Sequence, residues 1–282
     1  MKTERRPRSA ARRKGKAEQL VLPLDSGPVM QAASLQSGSN GNCIFVEAGG
    51  VRLLFDAGIT GAETGRRLAA LGRTMEDVSA VIISHDHADH MKFAGVYQRK
   101  YGLPVYMTHG TRAVAEGMRD LGRLFDVRIF RPGDRLSFGD VTVETMRTPH
   151  DAEEGAVFVV ACRGRRLGVM TDLGHLFPKL RDTIGTLDAV FLESNYDTDM
   201  LMHGPYPAFL KKRIRGHAGH ISNHESAELL REGKKLKWAC LSHLSEQNNS
   251  PAVALKTHRD IVGADLILHT AHRYEATGLF EV

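Results

Sequence analysis

Residues 84 to 90 read SHDHADH, three histidines and two aspartates in seven positions, directly after the apolar run Ala80-Val81-Ile82-Ile83. Imidazole and carboxylate are the ordinary nitrogen and oxygen ligands of zinc and manganese. Side chains alternate along an extended backbone, so His85 and His87 point the same way and can grip one cation. Asp89 and His90 lie one loop turn further and cannot easily join that ion, which points to a second one beside it. Two cations need more ligands, and the chain offers them where other apolar runs end. His150 follows the run to Met146, in TPHDA; Asp172 follows Gly168 to Thr171, in TDLG; His243 follows Trp238 to Ser242, in LSHLSEQNN. The plain alternative for SHDHADH is a solvated polar loop. Matching residues at three other strand ends argue for a shared metal centre.

Read in order, His85-x-His87-x-Asp89-His90, then His150, Asp172 and His243, resemble the five-motif pattern of the metallo-β-lactamase superfamily, and Asp56 in LFDAG matches its first motif. The resemblance implies that His85, His87 and His150 hold one ion, that Asp89, His90 and His243 hold the other, and that Asp172 bridges them. Asp56 then orients the cluster from behind the ligands. The implied cofactors are two divalent ions, zinc or manganese, about 3.5–4 Å apart and sharing an activated water. The implied fold is α/β, an αββα sandwich of two mixed sheets with helices outside.

Three later stretches narrow the resemblance. ESNYDTDML (193 to 201), GPYPAFLKKRIRGHAGHISN (204 to 223) and SHLSEQNN (242 to 249) are similar to the YycJ/WalJ family, related to the catalytic domains of RNase J and RNase Z and associated with 5′-to-3′ DNA exonuclease activity. That resemblance implies a phosphodiesterase with nucleic acid, DNA above all, as its partner. A basic N-terminal extension is not part of the pattern, HTAHRYEATG (269 to 278) has no assigned place in it, and no long insertion supplies the clamp domain of RNase J-like enzymes.

The residues around 211 to 225 agree with phosphate handling. Lys211, Lys212, Arg213 and Arg215 form a basic cluster, and Ser222 with Glu225 has capping-box spacing, so a helix starts near Asn223. A helix N-terminus with Gly219 and His220 ahead of it is an anion site. The expectation is that Ser222 and Asn223 hold a terminal phosphate and that His220, with the metal-bound Asp89, acts in catalysis as a phosphate contact or proton donor. The plain alternative is a well-capped helix with a solvated basic face. Asn248 and Asn249 either touch substrate or form a turn. Asn195 and Asp197 either shape the pocket or a loop, and the eight other histidines are assigned no metal.

The elements that must position these groups follow from apolar periodicity. Strands are expected at Val29 to Leu35, Asn42 to Glu47 and Val51 to Phe55, the last two joined by a hairpin at Gly49-Gly50. Another ends at Ser84, and others cover Val105 to Thr108, Val141 to Met146, Ala156 to Cys162, Leu167 to Thr171, Ala189 to Glu193, Trp238 to Ser242 and Leu266 to His269. Helices are expected at Ala62 to Leu71, Phe93 to Tyr101 and Thr111 to Leu121, and at 251 to 262 between Ser250 as N-cap and Gly263.

The net charge of +5 is uneven: residues 1 to 16 hold eight of the 38 basic residues and one of the 33 acidic ones, leaving 30 against 32 for the rest. Residues 1–26 therefore read as a disordered basic tail and 27–282 as one domain. The tail is either a loose anion-binding arm or a leader with no dedicated partner. No run reaches the roughly 18 apolar residues of a membrane helix. LVLPL at 20 to 24 is too short for a signal peptide. Cys43, Cys162 and Cys240, scattered in apolar contexts, read as buried free thiols of a cytoplasmic protein. No protein partner is indicated. Two other functions fit the same residues: a small-molecule hydrolase acting on a cyclic phosphate, lactone or thioester, and a metal-stabilised binding module without turnover. A flavodiiron-type oxidoreductase is disfavoured, because its pattern has an acidic residue where this chain has His87.

Overall fold

Alternation of side chains sorts the apolar residues of nearly every strand onto two faces. The computed structural model describes residues 29–282, so the basic stretch lies outside the described residues. The first strands are β1 (Met30–Gln36), β2 (Cys43–Ala48), β3 (Val51–Phe55), β4 (Ala80–Ile82), β5 (Val105–Thr108) and β6 (Val127–Phe130). They are followed by β7 (Arg135–Phe138), β8 (Val141–Arg147), β9 (Ala156–Cys162), β10 (Arg165–Met170), β11 (Ala189–Glu193), β12 (Trp238–Ser242), β13 (Ile267–Thr270) and β14 (Phe280–Glu281). One sheet has the order β14-β1-β2-β3-β4-β5-β6, the other β13-β12-β11-β10-β9-β8-β7. Both are mixed in the same way, with antiparallel pairs on one side and parallel pairs on the other.

Inward residues such as Ile44, Val46, Phe55, Phe158, Val160, Phe191 and Trp238 form the core between the sheets. Their outward neighbours Phe45, Leu54 and Val81 pack with Leu68, Tyr97 and Ala115, which lie on α1 (Gly61–Ala70), α3 (Ala94–Tyr101) and α4 (His109–Gly117). On the far side Val159, Val190, Leu192 and Leu241 pack with Leu180, Leu229 and Ala254, on α5 (Pro178–Ile184), α8 (Asn223–Leu230) and α9 (Pro251–Val262). Three short helices, α2 (Ala88–Met91), α6 (Thr198–His203) and α7 (Ala208–Ile214), lie in the loops. This is the expected αββα sandwich, with an apolar layer on each face of each sheet.

The hairpin at Gly49-Gly50 forms with φ of 53° and 78°, values that suit glycine in a tight two-residue turn. Several expectations need correcting. β6 and β7 escape the apolar pattern because both are edge strands with largely exposed side chains. The helix expected to Leu121 stops at Gly117 and gives way to a 3-10 turn, Arg119–Leu121. β4 ends at Ile82 rather than Ser84, because the Ser84 N–H leaves the ladder to donate to Asp56 at 2.7 Å. All three cysteines are buried and unpaired. No helix among the described residues is long and apolar enough to cross a membrane.

Candidate metal centre

Three ligand-type residues sit just past strand ends in a backbone conformation that non-glycine residues seldom adopt. Asp56 follows β3 with φ 68°, Asp172 follows β10 with φ 58°, and His243 follows β12 with φ 56°. Left-handed residues at strand ends cost backbone energy and are kept where the fold needs a side chain re-aimed. Asp89 and His90 lie on α2 rather than in the expected loop, with His87 as its N-cap. The loops bearing these candidate ligands approach so closely that a Cβ on Gly58 would stand 1.8 Å from the Asp89 carbonyl oxygen, and one on Gly174 would stand 1.7 Å from that of Pro149.

Two of the groupings anticipated from the resemblance come together. The donor atoms of His85, His87 and His150 lie within 4.8 Å of one another, as do those of Asp89, His90 and His243. Asp172 stands between them, Oδ2 3.3 Å from His90 Nε2 and Oδ1 3.7 Å from His150 Nε2. It also lies 3.5 Å from His243 Nδ1.

Hydrogen bonds on the outer side of each imidazole fix where its proton sits. His85 Nδ1 donates to Ser84 Oγ at 2.9 Å, whose own hydroxyl donates to Asp56. His90 Nδ1 donates to Asp56 Oδ2 at 2.7 Å, and His150 Nδ1 to the Gly219 carbonyl at 2.8 Å. His87 Nε2 donates to the Asp151 carbonyl at 3.2 Å. His243 Nδ1 faces Glu193 Oε1 at 3.4 Å. Each ring therefore turns its other nitrogen toward the rest of the cluster. The buried atoms His85 Nε2, His243 Nε2 and Asp172 Oδ2 have no hydrogen-bond partner at all. Stranded lone pairs of this kind are costly unless a ligand satisfies them, so the donor set fits divalent cations.

Electrostatics point the same way. Burial alone would raise the Asp172 carboxyl, but the surrounding His243, His90, His85 and His150 hold it well below the usual carboxylate range. Burial opposes charge on His243, yet Asp172, Asp89 and Glu193 outweigh it and push the imidazole up to about 10. The carboxylates of the cluster thus favour positive charge at its centre.

Asp56 accepts hydrogen bonds from Ser84 and His90 behind the cluster. His220 is brought alongside, its Nδ1 donating to Glu193 Oε1 at 2.7 Å. Glu193, given no role at the site by the sequence reading, is fully buried at the end of β11, where its Oε2 also accepts from Leu173 N at 2.8 Å. Asn42 was also missed; its amide donates toward His90 Nε2 at 3.0 Å and Asp89 Oδ2 at 3.2 Å. A lone acid closing an otherwise apolar strand is the signal that marks Glu193; Asn42, in SGSNGN, reads only as a turn.

The expected phosphate contacts are placed differently. The capping box is present, but the Ser222 N–H and hydroxyl both donate to Glu225 Oε2, at 2.8 and 2.6 Å, leaving no free donor and a carboxylate where an anion was expected. Asn223 and Asn249 are buried and bond each other and Ser194. Asn248 is fully buried and bonds Ser245. These four side chains brace the loops. Asn195 reaches the His243 carbonyl at 2.9 Å, and Asp197 caps α6.

A family model described as a beta-lactamase superfamily domain matches residues 51–243. The exodeoxyribonuclease WalJ of Streptococcus pneumoniae is 32% identical over 259 residues, covering 88% of this chain and 96% of that protein. The exodeoxyribonuclease YycJ of Bacillus anthracis is 35% identical over 222 residues, covering 78% of this chain and 84% of that one. Among solved structures, the metallo-beta-lactamase fold protein YhfI from Bacillus subtilis aligns with a TM-score of 0.68 at 18% identity, over 89% of this chain and 99% of its own, a likeness of fold.

Proposed function

The chain belongs to the beta-lactamase superfamily, and from that footing we propose that it is a dinuclear-metal exonuclease cleaving DNA phosphodiesters from the 5′ end of a strand. The observation that carries this reading is the pair of three-residue donor sets with Asp172 reaching both. His85, His87 and His150 would hold one zinc or manganese ion, and Asp89, His90 and His243 the other. Two bound cations supply an activated water and neutralise charge building on the phosphate.

The chain's own residues do the rest. Glu193 fixes the His220 proton on Nδ1, and its carboxylate stabilises the ring when Nε2 is protonated as well. In that state Nε2, which makes no hydrogen bond within the described residues, delivers a proton to the departing oxygen. Asp151 ties the centre to the basic helix α7: it lies 3.4 Å from His150 Nε2 and accepts from Arg213 at 2.6 Å. On and just after that helix Lys212 and Arg215 are exposed, and the Phe209 ring is 75% exposed. Cations interleaved with an exposed aromatic suit a single strand, phosphates on the former and a base on the latter. The three unpaired cysteines support a cytoplasmic location.

The test is incubation of the zinc- or manganese-loaded protein with single- and double-stranded DNA and RNA labelled at either end. DNA should shorten stepwise from its 5′ end, faster than RNA, and Asp172→Ala should abolish this. Intact DNA alongside rapid turnover of a lactone, thioester or cyclic phosphate would overturn the nuclease reading.

A further inference from the structure

A cavity of about 440 Å³ opens beside the metal centre, and Asp89 forms part of its wall. We propose that this cavity seats the terminal nucleoside of the strand, one residue at a time, an assignment that rests on the nuclease reading. Its volume lies in the ~300–1,000 Å³ range of sites that enclose a small ligand. Its location gives the strand a direction. Asp89 belongs to the donor set of His90 and His243, whereas α7 is tied through Arg213 and Asp151 to the set of His87 and His150. The cavity and the basic helix therefore flank the centre from its two ends. A strand lying over both places its body on α7, one phosphodiester at the metal ligands and its last nucleoside in the cavity.

The lining suits that occupant. Ile59 and the half-buried Phe93 ring are apolar walls for a base, and the Lys92 ammonium lies 5.6 Å from the Phe93 centroid, where it meets the adjoining phosphate. At the mouth stand two exposed polar residues, Ser39 and Asn40. Asn40 is held in place: its Oδ1 accepts from Arg273 Nη1 at 3.0 Å and its amide donates to the Arg273 carbonyl at 3.2 Å. Arg273 also donates to the Leu244 carbonyl at 2.8 Å, the residue after His243. The stretch HTAHRYEATG, without a place in the family resemblance, thus joins the cavity's mouth to a ligand-bearing loop. The acidic wall residue Glu63 is occupied by Arg66 and Arg67, so its charge does not repel an incoming phosphate.

A nucleoside cavity of this size predicts mononucleotide products. The experiment compares wild type with Ser39→Trp, which fills the mouth, and Lys92→Glu, which reverses its charge; both positions are exposed, so both chains fold. KM, kcat and product length are read on an end-labelled single-stranded DNA, with deoxyadenosine 5′-monophosphate as competitor and bound metal counted in each protein. Mononucleotide release, competition by the monophosphate and a KM raised about tenfold in each variant at unchanged metal content would support the assignment. Wild-type KM in both variants without competition, while wild type degrades DNA, would overturn the assignment alone. A wild-type protein that leaves DNA intact would overturn the nuclease reading instead.

Discussion

Asp56→Asn replaces one carboxylate oxygen by an NH₂ group and should move a proton across a ring. Asp56 Oδ1 accepts from Ser84 N at 2.7 Å, and Oδ2 accepts from Ser84 Oγ at 3.0 Å and His90 Nδ1 at 2.7 Å. In the amide the remaining oxygen keeps the Ser84 N–H, and the NH₂ group takes the place of Oδ2. Facing a donor, His90 Nδ1 must become the acceptor, which sends its proton to Nε2. That atom lies 3.3 Å from Asp172 and 3.5 Å from Asp89, where a bare nitrogen is needed to bind a cation. Loss of an orienting partner of this kind lowers metal affinity about 10–100-fold, or about 1.4–2.8 kcal/mol. The fold should survive. Asparagine tolerates the φ of 68° at this position, and one weakened buried hydrogen bond costs about 1–2 kcal/mol, a fall in Tm of a few degrees. Calorimetric titration of metal into the stripped variant should show the ion at Asp89, His90 and His243 weakened and the ion at His85, His87 and His150 nearly unchanged. Equal loss at both sites, or none at either, would refute the tautomer argument.

Glu193→Gln keeps its shape but removes the charge that holds the His220 proton at 2.7 Å; single-turnover DNA cleavage should fall about 10²–10⁴-fold, and a fall under threefold would remove His220 from proton transfer. Lys212→Ala and Arg215→Ala should weaken single-stranded DNA binding and each reduce the slope of log affinity against log salt by about 0.7. An unchanged slope would take α7 out of the DNA path. Glu47 lies between Arg52 and Arg73; burial works against its charge, but the two guanidiniums prevail and hold its carboxyl below the ordinary 4.5. A depressed folded value stabilises fully above the unfolded one and is lost as pH falls through the folded one. Urea unfolding should therefore find Glu47→Gln about 1 kcal/mol less stable than wild type at pH 7, with the gap closing below about pH 4; a gap independent of pH would contradict this.

The candidate ligands were legible because they stand at the ends of apolar runs, and His85, His150 and His243 each close a strand or follow one closely. What periodicity does not encode is the left-handed turn at Asp56, Asp172 and His243, since it depends on what the neighbouring strand end accepts or donates. The two-sheet architecture was readable from β2, β9, β11 and β12, whose apolar runs are nearly unbroken, whereas β6 and β7 carry edge-strand exposure that resembles a loop. Glu193 went unnoticed because AVFLE scans as an ordinary strand, and its partners at Leu173 and His220 come from other loops. Ser222 shows the opposite failure. The spacing to Glu225 identified a helix start correctly, but that same pairing uses up the donors an anion would need.

The convergence of seven side chains on two cations is tested most directly by counting the ions. Native mass spectrometry of the manganese- or zinc-loaded protein should find two per chain in wild type and no more than one in Asp172→Ala. A wild-type chain that binds none, or an Asp172→Ala chain that keeps both, would contradict the bridged metal centre.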